Sequence, residues 1–181
     1  MKATGIVRRI DDLGRIVIPK EIRRSYRIRE GDPMEIFTGH NGEILLKKYS
    51  PMVDLSLFAS QYAEVLAQTT GATVCVADQE EILAAAGGGK KELLHQPINR
   101  NLDEVIRKRG LWVGEKTTET TSVVTMPKEE YAKQIVAPIL CQGDVIGAVI
   151  SLMKEQGGQS GEVEKQLALT AANFLGKQLE Q

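Results

Sequence analysis

Nine Lys/Arg side chains fall within residues 1–30 (Lys2, Arg8, Arg9, Arg15, Lys20, Arg23, Arg24, Arg27, Arg29), against four acids (Asp11, Asp12, Glu21, Glu30), a local net charge of +5. The whole chain of 181 residues is nearly neutral, with 23 basic and 24 acidic side chains, so residues 51–181, with 12 and 17, carry −5. A basic end on a neutral chain suggests an anionic partner for that end alone. Seven of the nine are Arg, whose planar fork matches phosphate and the guanine edge bidentately. The competing account is a solvated surface on which each Arg pairs with Asp11, Asp12, Glu21 or Glu30.

Other chemistry finds less support. Gly87-Gly88-Gly89-Lys90-Lys91 lacks the upstream Gly of a phosphate loop, and Lys91 stands where Ser or Thr would hold the metal, so it reads as a surface loop. Cys75, Cys141, His40 and His95 show no metal-ligand spacing, and two cysteines are too few for a disulfide scaffold. Cys75 reads as a small core residue. Cys141, at a hairpin end, is open to oxidation but has no resolving partner. His95 has no nucleophile or carboxylate arranged around it, and Trp112 reads as a core residue. Thr117, Thr118, Thr120, Thr121, Ser122 and Thr125 either line a small-molecule site or form a polar loop entering a strand. No nucleophile–base pair, metal cluster or cofactor motif emerges, so no cofactor is identified and no enzyme is expected. The start of the chain has no apolar run of the signal-peptide kind. The longest apolar stretch, 145–153, is far short of the roughly 18 residues that span a bilayer. The expectation is a soluble cytoplasmic protein without a membrane partner.

The elements that carry the basic residues follow from pattern. Gly5–Ile10 reads as a strand whose apolar row, Ile6 and Ile10, is interrupted by Arg8. Asp11–Gly14 is a turn, and Arg15–Ile18 a second, β-branched strand. Pro19 fits the first position of a short helix, on which Lys20, Arg23, Arg24 and Arg27 share a face if it lasts that long. Gly31-Asp32-Pro33 ends it. Met34–Thr38 and Glu43–Lys47 are strands around the hairpin signal Asn41-Gly42. About fifty residues with neither disulfide nor metal bury too little surface to be stable alone. An intertwined homodimer solves this, and it sets two basic surfaces about a two-fold axis, as pseudo-palindromic duplex DNA requires.

Thr4-Gly5-Ile6-Val7-Arg8, Asp12-Leu13-Gly14-Arg15-Ile16-Val17-Ile18-Pro19, Glu21-Ile22-Arg23-Arg24, Gly31-Asp32-Pro33 and Leu46-Lys47-Lys48-Tyr49 resemble the swapped-hairpin DNA-binding domain of AbrB-type transition-state regulators. The resemblance covers nearly all of residues 1–50. It implies a dimer of interlocked β-hairpins, with Arg8, Arg15, Arg23 and Arg24 contacting DNA and Arg9 and Lys20 as secondary contacts. The chain departs from the family at Tyr26, usually aliphatic, and at Arg27, where Gly is frequent. A stripe of arginines on phosphates and a few base edges implies strongly salt-dependent binding and a preference set partly by DNA shape.

Residues 51–55 read as a linker, and 56–181 as a second domain. Leu55, Phe58, Ala59, Tyr62, Ala63 and Leu66 form the stripe of an amphipathic helix, with Asp54 as N-cap and Gly71 as stop. Strands are expected at 72–77, 82–86, 122–126, 134–139 and 145–152, with a helix at 102–107 and a turn at Gly143-Asp144. In the closing helix Val163, Leu167, Ala171, Phe174 or Leu175, and Leu179 share a stripe, with Ser160 as N-cap. The fold class is α+β: the hairpin domain, then an antiparallel sheet with helices on one side.

Ile135–Ile139 followed by Gly143–Ile150 resembles the last two strands of GAF domains. The whole chain resembles sporulation transcription regulators that join an AbrB-type head to a GAF-like body. That resemblance implies a DNA-binding regulator of sporulation genes, dimeric through residues 1–50 and tetrameric through GAF-domain helices, here 55–69 and 160–180. It leaves open an unidentified small-molecule ligand in the body. The rival is an antitoxin-like interaction module with the same head. Such proteins usually carry a disordered toxin-binding tail, whereas residues 55–181 are patterned to form a core.

Overall fold

The structure, a computed structural model, describes residues 4–115, 123, 131–154 and 161–180, and its chain divides into two units, Met1–Tyr49 and Ser50–Gln181.

In the first unit strands β1 (Met34–Thr38) and β2 (Ile44–Lys48) pair antiparallel, from Met34 opposite Lys48 to Thr38 opposite Ile44. The Gly39 N–H donates to the Glu43 carbonyl at 2.8 Å, which leaves a loop of three residues, His40-Asn41-Gly42. Gly42, at φ 76°, takes the left-handed conformation such a loop requires. Residues 5–10 and 15–18, expected as strands, carry no ladder. A strand is defined by a paired neighbour, and among the described residues the ladders of this unit join only β1 and β2. Only their turn is closed, by Asp11 N–H to the Arg15 carbonyl and Gly14 N–H to the Asp11 carbonyl, both 3.0 Å.

Helix α1 spans Lys20–Ser25, with Pro19 at the N-cap rather than the first helical position. It stops well before Gly31. The Ile28 N–H reaches the Arg23 carbonyl and the Arg27 N–H the Arg24 carbonyl, at 2.7 and 3.3 Å, while Arg27 is left-handed at φ 52°. These bonds form a Schellman cap. Arg27 therefore lies beyond the helix, and the expected four-residue basic face is shortened to Lys20, Arg23 and Arg24. None of the described residues of this unit is buried. Val7, Leu13, Val17, Ile36 and Ile44 are all exposed by 66% or more.

The second unit is built on a five-stranded antiparallel sheet in the order β4-β3-β7-β6-β5. Its strands are β3 (Thr73–Ala77), β4 (Ile82–Ala86), β5 (Trp112–Glu115), β6 (Lys133–Cys141) and β7 (Asp144–Met153). Helices α2 (Ser56–Thr70) and α5 (Gly161–Gln178) pack on one face, against Val74, Val76, Ile135, Ala137 and Val149. The short α3 (Lys90–Leu93) and α4 (Arg100–Arg107) cover the other, against Cys75, Ala77, Val136, Ala148 and Ile150. The sheet is thus sandwiched, not covered on one side as expected. Its central strands are apolar in both alternating sets of side chains, so both faces need cover. A bulge at Leu83 (Val76 opposite Ala84, Ala77 opposite Ile82) turns Ile82 to the α4 side, away from Ala84 and Ala86.

Several boundaries move. Residues 51–55 contain a 3-10 turn, Pro51–Val53, and carry buried Met52 and Leu55 into the core of the second unit. The N-cap of α2 is Leu55, without a side-chain cap, and not Asp54; the 3-10 turn already feeds the chain into the helix. Gly71, left-handed at φ 71°, closes α2 with its N–H on the Ala67 carbonyl. Cys141 pairs with Asp144, so the β6–β7 turn is Gln142-Gly143, with φ 50° and 88°, the signature of a two-residue hairpin loop. Val163 is exposed, and Leu179 lies just past α5. Half-buried Trp112 opens edge strand β5, unanticipated because a four-residue strand shows too little alternation. The expected strand 122–126, apart from Val123, and the Ser160 cap fall outside the described residues.

Candidate nucleic-acid interface

Arg8, Arg9, Arg15, Lys20, Arg23 and Arg24 are all exposed in the first unit. Arg8 and Arg9 precede the turn, and Arg15 leaves it. Lys20, Arg23 and Arg24 occupy half of the six-residue α1. Arg23 and Arg24 lie in its last turn, where cations complement the unpaired carbonyls. Their local bonds differ. Arg8 Nη1 donates to the neighbouring Val7 carbonyl at 3.3 Å, and Arg23 Nε to the Ile18 carbonyl at 3.2 Å.

Arg15 alone among these six realises the ion pairing weighed for the arginines, and its partner is Asp11. Asp11 Oδ1 accepts from the Leu13 and Arg15 N–H groups at 3.1 and 2.8 Å, and Oδ2 accepts from Arg15 Nε at 2.8 Å. The Arg15 backbone and guanidinium, with Leu13, hold the Asp11 carboxyl below its ordinary range. The pair is open to water, with side-chain exposures of 69% and 37%, so it is screened and contributes little to stability. Asp11 was legible as a turn residue and a possible ion-pair partner. That one carboxylate would bind both the turn backbone and the guanidinium was not.

Several polar residues of the second unit have structural roles. Asp78 Oδ1 accepts the Glu80 and Glu81 N–H groups at 2.7 and 2.8 Å and shapes the β3–β4 turn. Buried Asp103 pairs with Arg107 at 2.9 Å. Arg107 also reaches Gln79, which bonds the Val145 carbonyl, so α4 is fastened to that turn and to β7. The Gly87–Gly89 loop is tied back to β3 by Thr73 Oγ1 on the Gly88 carbonyl. Burial pushes the Cys75 thiol up to about 12. Burial, then the Glu180 and Asp144 carboxylates, raise that of Cys141, which keeps it a poor nucleophile. His95 is exposed, and its N–H bonds the Ile82 carbonyl. Among the described residues no group of three or more His, Cys, Asp or Glu is placed to hold a metal ion. The hydroxyl-rich residues Thr117, Thr118, Thr120, Thr121, Ser122 and Thr125 lie outside the described residues.

Known proteins resemble both units. Residues 54–180 match the family described as stage V sporulation protein T C-terminal, transcription factor. Residues 7–54 match the family described as antidote-toxin recognition MazE, bacterial antitoxin. Over 181 residues, all of both chains, the sequence is 47% identical to stage V sporulation protein T of Bacillus subtilis (strain 168). A stretch of 51 residues is 55% identical to the transition state regulatory protein AbrB of the same organism, covering 28% of this chain and 52% of that one. In fold, the chain is similar to the second GAF domain of DevS from Mycobacterium smegmatis, with a TM-score of 0.54 at 14% identity, covering 69% of this chain and 92% of that one.

Proposed function

Because the chain belongs to the stage V sporulation protein T family of transcription factors, we propose that its first unit grips duplex DNA as an intertwined dimer and that its second unit joins two such dimers. The chain is a DNA-binding regulator of sporulation genes and not an enzyme. Residues 1–50 act as the head, with Arg8, Arg15, Arg23 and Arg24 as DNA contacts and Arg9 and Lys20 as secondary ones. Residues 56–181 act as the GAF-like body. The protein works in the cytoplasm, with the DNA. No helix among the described residues is long and apolar enough to cross a membrane.

The observation that carries the reading is the character of the first unit: six exposed basic side chains on a fold that buries none of its described residues. Apolar side chains left in water are costly, and a second copy interleaving its strands would cover them. Two arginine sets then face one duplex. For the body, α2 has one charged residue, Glu64, in Ser56–Thr70, and it exposes Leu57, Phe58 and Val65. A helix whose outer face served only water would be richer in charge. Such a face, with α5 beside it, suits contact between body units.

The antitoxin-family match of residues 7–54 favours a second reading, a head that binds a toxin as well as DNA. Against it stands the second unit, folded where a toxin-binding tail would be and matched to transcription factors.

Fluorescence anisotropy on duplex DNA at several salt concentrations tests the proposal. The intact chain is compared with a variant carrying Arg8→Ala, Arg15→Ala, Arg23→Ala and Arg24→Ala, checked for fold and oligomeric state. Each phosphate contact contributes about 0.9 to the slope of log affinity against log salt, so the variant should bind far more weakly and with a much flatter slope. Equal binding by both proteins would sink the arginine assignment.

A further inference from the structure

An acidic side chain sits in the turn between two stretches of the basic head, and its bonds reach from backbone to guanidinium. Two N–H groups, of Leu13 and Arg15, fix Asp11 Oδ1, and Oδ2 then holds Arg15 Nε at 2.8 Å. The Asp11 N–H on the Arg15 carbonyl closes the same turn. The carboxylate is anchored by the fold, and it in turn orients the guanidinium. Because the pair uses Nε, it leaves the two terminal Nη groups for another acceptor. That edge presents the two parallel N–H donors that match O6 and N7 of guanine. Among the described residues, Arg8 and Arg23 instead donate to neutral carbonyls, at 3.3 and 3.2 Å.

An exposed pair of this kind adds little stability, and a carboxylate among DNA-facing cations opposes attraction to phosphate. Its consequence is therefore geometric. Resting on the DNA-binding reading above, we propose that Asp11 is a positioning residue that makes Arg15 a reader of base edges rather than a phosphate clamp, and so sets the sequence discrimination of the head.

The test uses the full chain and two probes: a duplex selected from random DNA by the unaltered protein, and a shuffled duplex of the same composition. Asp11→Asn keeps the carbonyl oxygen that accepts from the Leu13 and Arg15 backbone, but it sets an amide NH2 against Arg15 Nε. The turn survives and the orientation is lost. The ratio of the two affinities should fall at least about fivefold, the lower end of what one bidentate base contact confers. Affinity for the shuffled duplex should hold or rise, because a negative charge has gone. Arg15→Lys, which keeps the charge without the fork, should lose discrimination similarly and keep shuffled binding. With Arg15→Ala already present, Asp11→Asn should change the ratio no further.

Undiminished discrimination in Asp11→Asn or in Arg15→Lys overturns the proposal, as does a further loss from Asp11→Asn in the Arg15→Ala background. An unaltered chain that selects no sequence at all would remove the regulator reading as well, so the two failures are distinguishable.

Discussion

Arg27 holds a backbone conformation that its side chain disfavours. With φ at 52° it occupies the left-handed position of the cap that ends α1, where a Cβ crowds the following carbonyl at roughly 1–2 kcal/mol. Glycine avoids that cost but loses about 0.5–1 kcal/mol more conformational entropy on folding. Arg27→Gly is therefore expected to stabilise the head by about 0.5–1 kcal/mol, seen as a higher midpoint for its thermal unfolding. An unchanged or lower midpoint would mean that the Arg27 side chain makes up the difference through its own contacts. A left-handed cap position of this kind suits glycine, which carries no Cβ. It also removes Arg27 from the basic helical face that spacing alone suggests, since i, i+3, i+4, i+7 describes a face only while the helix lasts.

At the scale of elements, the close approach of α5 to β6 reverses the usual sign of a glycine substitution. Gly176 lies inside α5, where glycine is ordinarily worse than alanine by about 0.5–1 kcal/mol. A Cβ built there would run into the backbone carbonyl of Leu140, which has no rotamer by which to move aside. Gly176→Ala should therefore destabilise the body by about 1–3 kcal/mol, the range for overpacked sites, with a lower melting midpoint and an unchanged fold by circular dichroism. A raised midpoint would show that α5 lifts off β6 at little cost. Contacts of this kind are not written in local sequence.

What was legible is what local pattern decides. The apolar runs of β3, β6 and β7, the stop of α2 at Gly71 and its stripe, apart from Phe58, which is exposed, follow from periodicity and backbone preference. What was not legible depends on distant partners. The cover supplied by α4 to the second sheet face rests on Leu102, Val105 and Ile106, three apolar residues in a charged stretch whose docking site lies on strands far along the chain. Edge strand β5 exists because Trp112 pairs with Val136, not because four residues show a β pattern. Residues 5–10 and 15–18 are the converse case, with strand-like composition and no ladder from their own chain. In the candidate interface the arginines were legible as charge. The anchoring of Arg15 by Asp11 was not, because it requires the turn to bring backbone and side-chain donors to one carboxylate.

For the whole molecule, charge and assembly assign different work to the two units. Residues 51–181 carry −5, so the body is repelled by a polyanion and the basic head must supply the grip. In the proposed assembly, joining two dimeric heads through their bodies would make the second DNA contact intramolecular, which multiplies affinity for paired sites without any new contact. The weak point of such an assembly is the outer face of α2, on which Glu64 is the one charged side chain. Leu57 and Val65 are 67% and 59% exposed, so changing both to Glu leaves the body's own core intact and should alter its stability by less than about 0.5 kcal/mol per site. If α2 joins the bodies, the carboxylates of facing helices would be buried unpaired in the contact, which is strongly unfavourable. Leu57→Glu with Val65→Glu should then halve the solution mass by light scattering, from tetramer to dimer. Binding to a single DNA site should persist, because the heads are untouched. Affinity for a duplex carrying two sites should fall by about a hundredfold, the lower end of what such linkage confers. A tetramer that survives both substitutions would move the contact away from α2, and a dimer that still binds paired sites as tightly would separate assembly from grip.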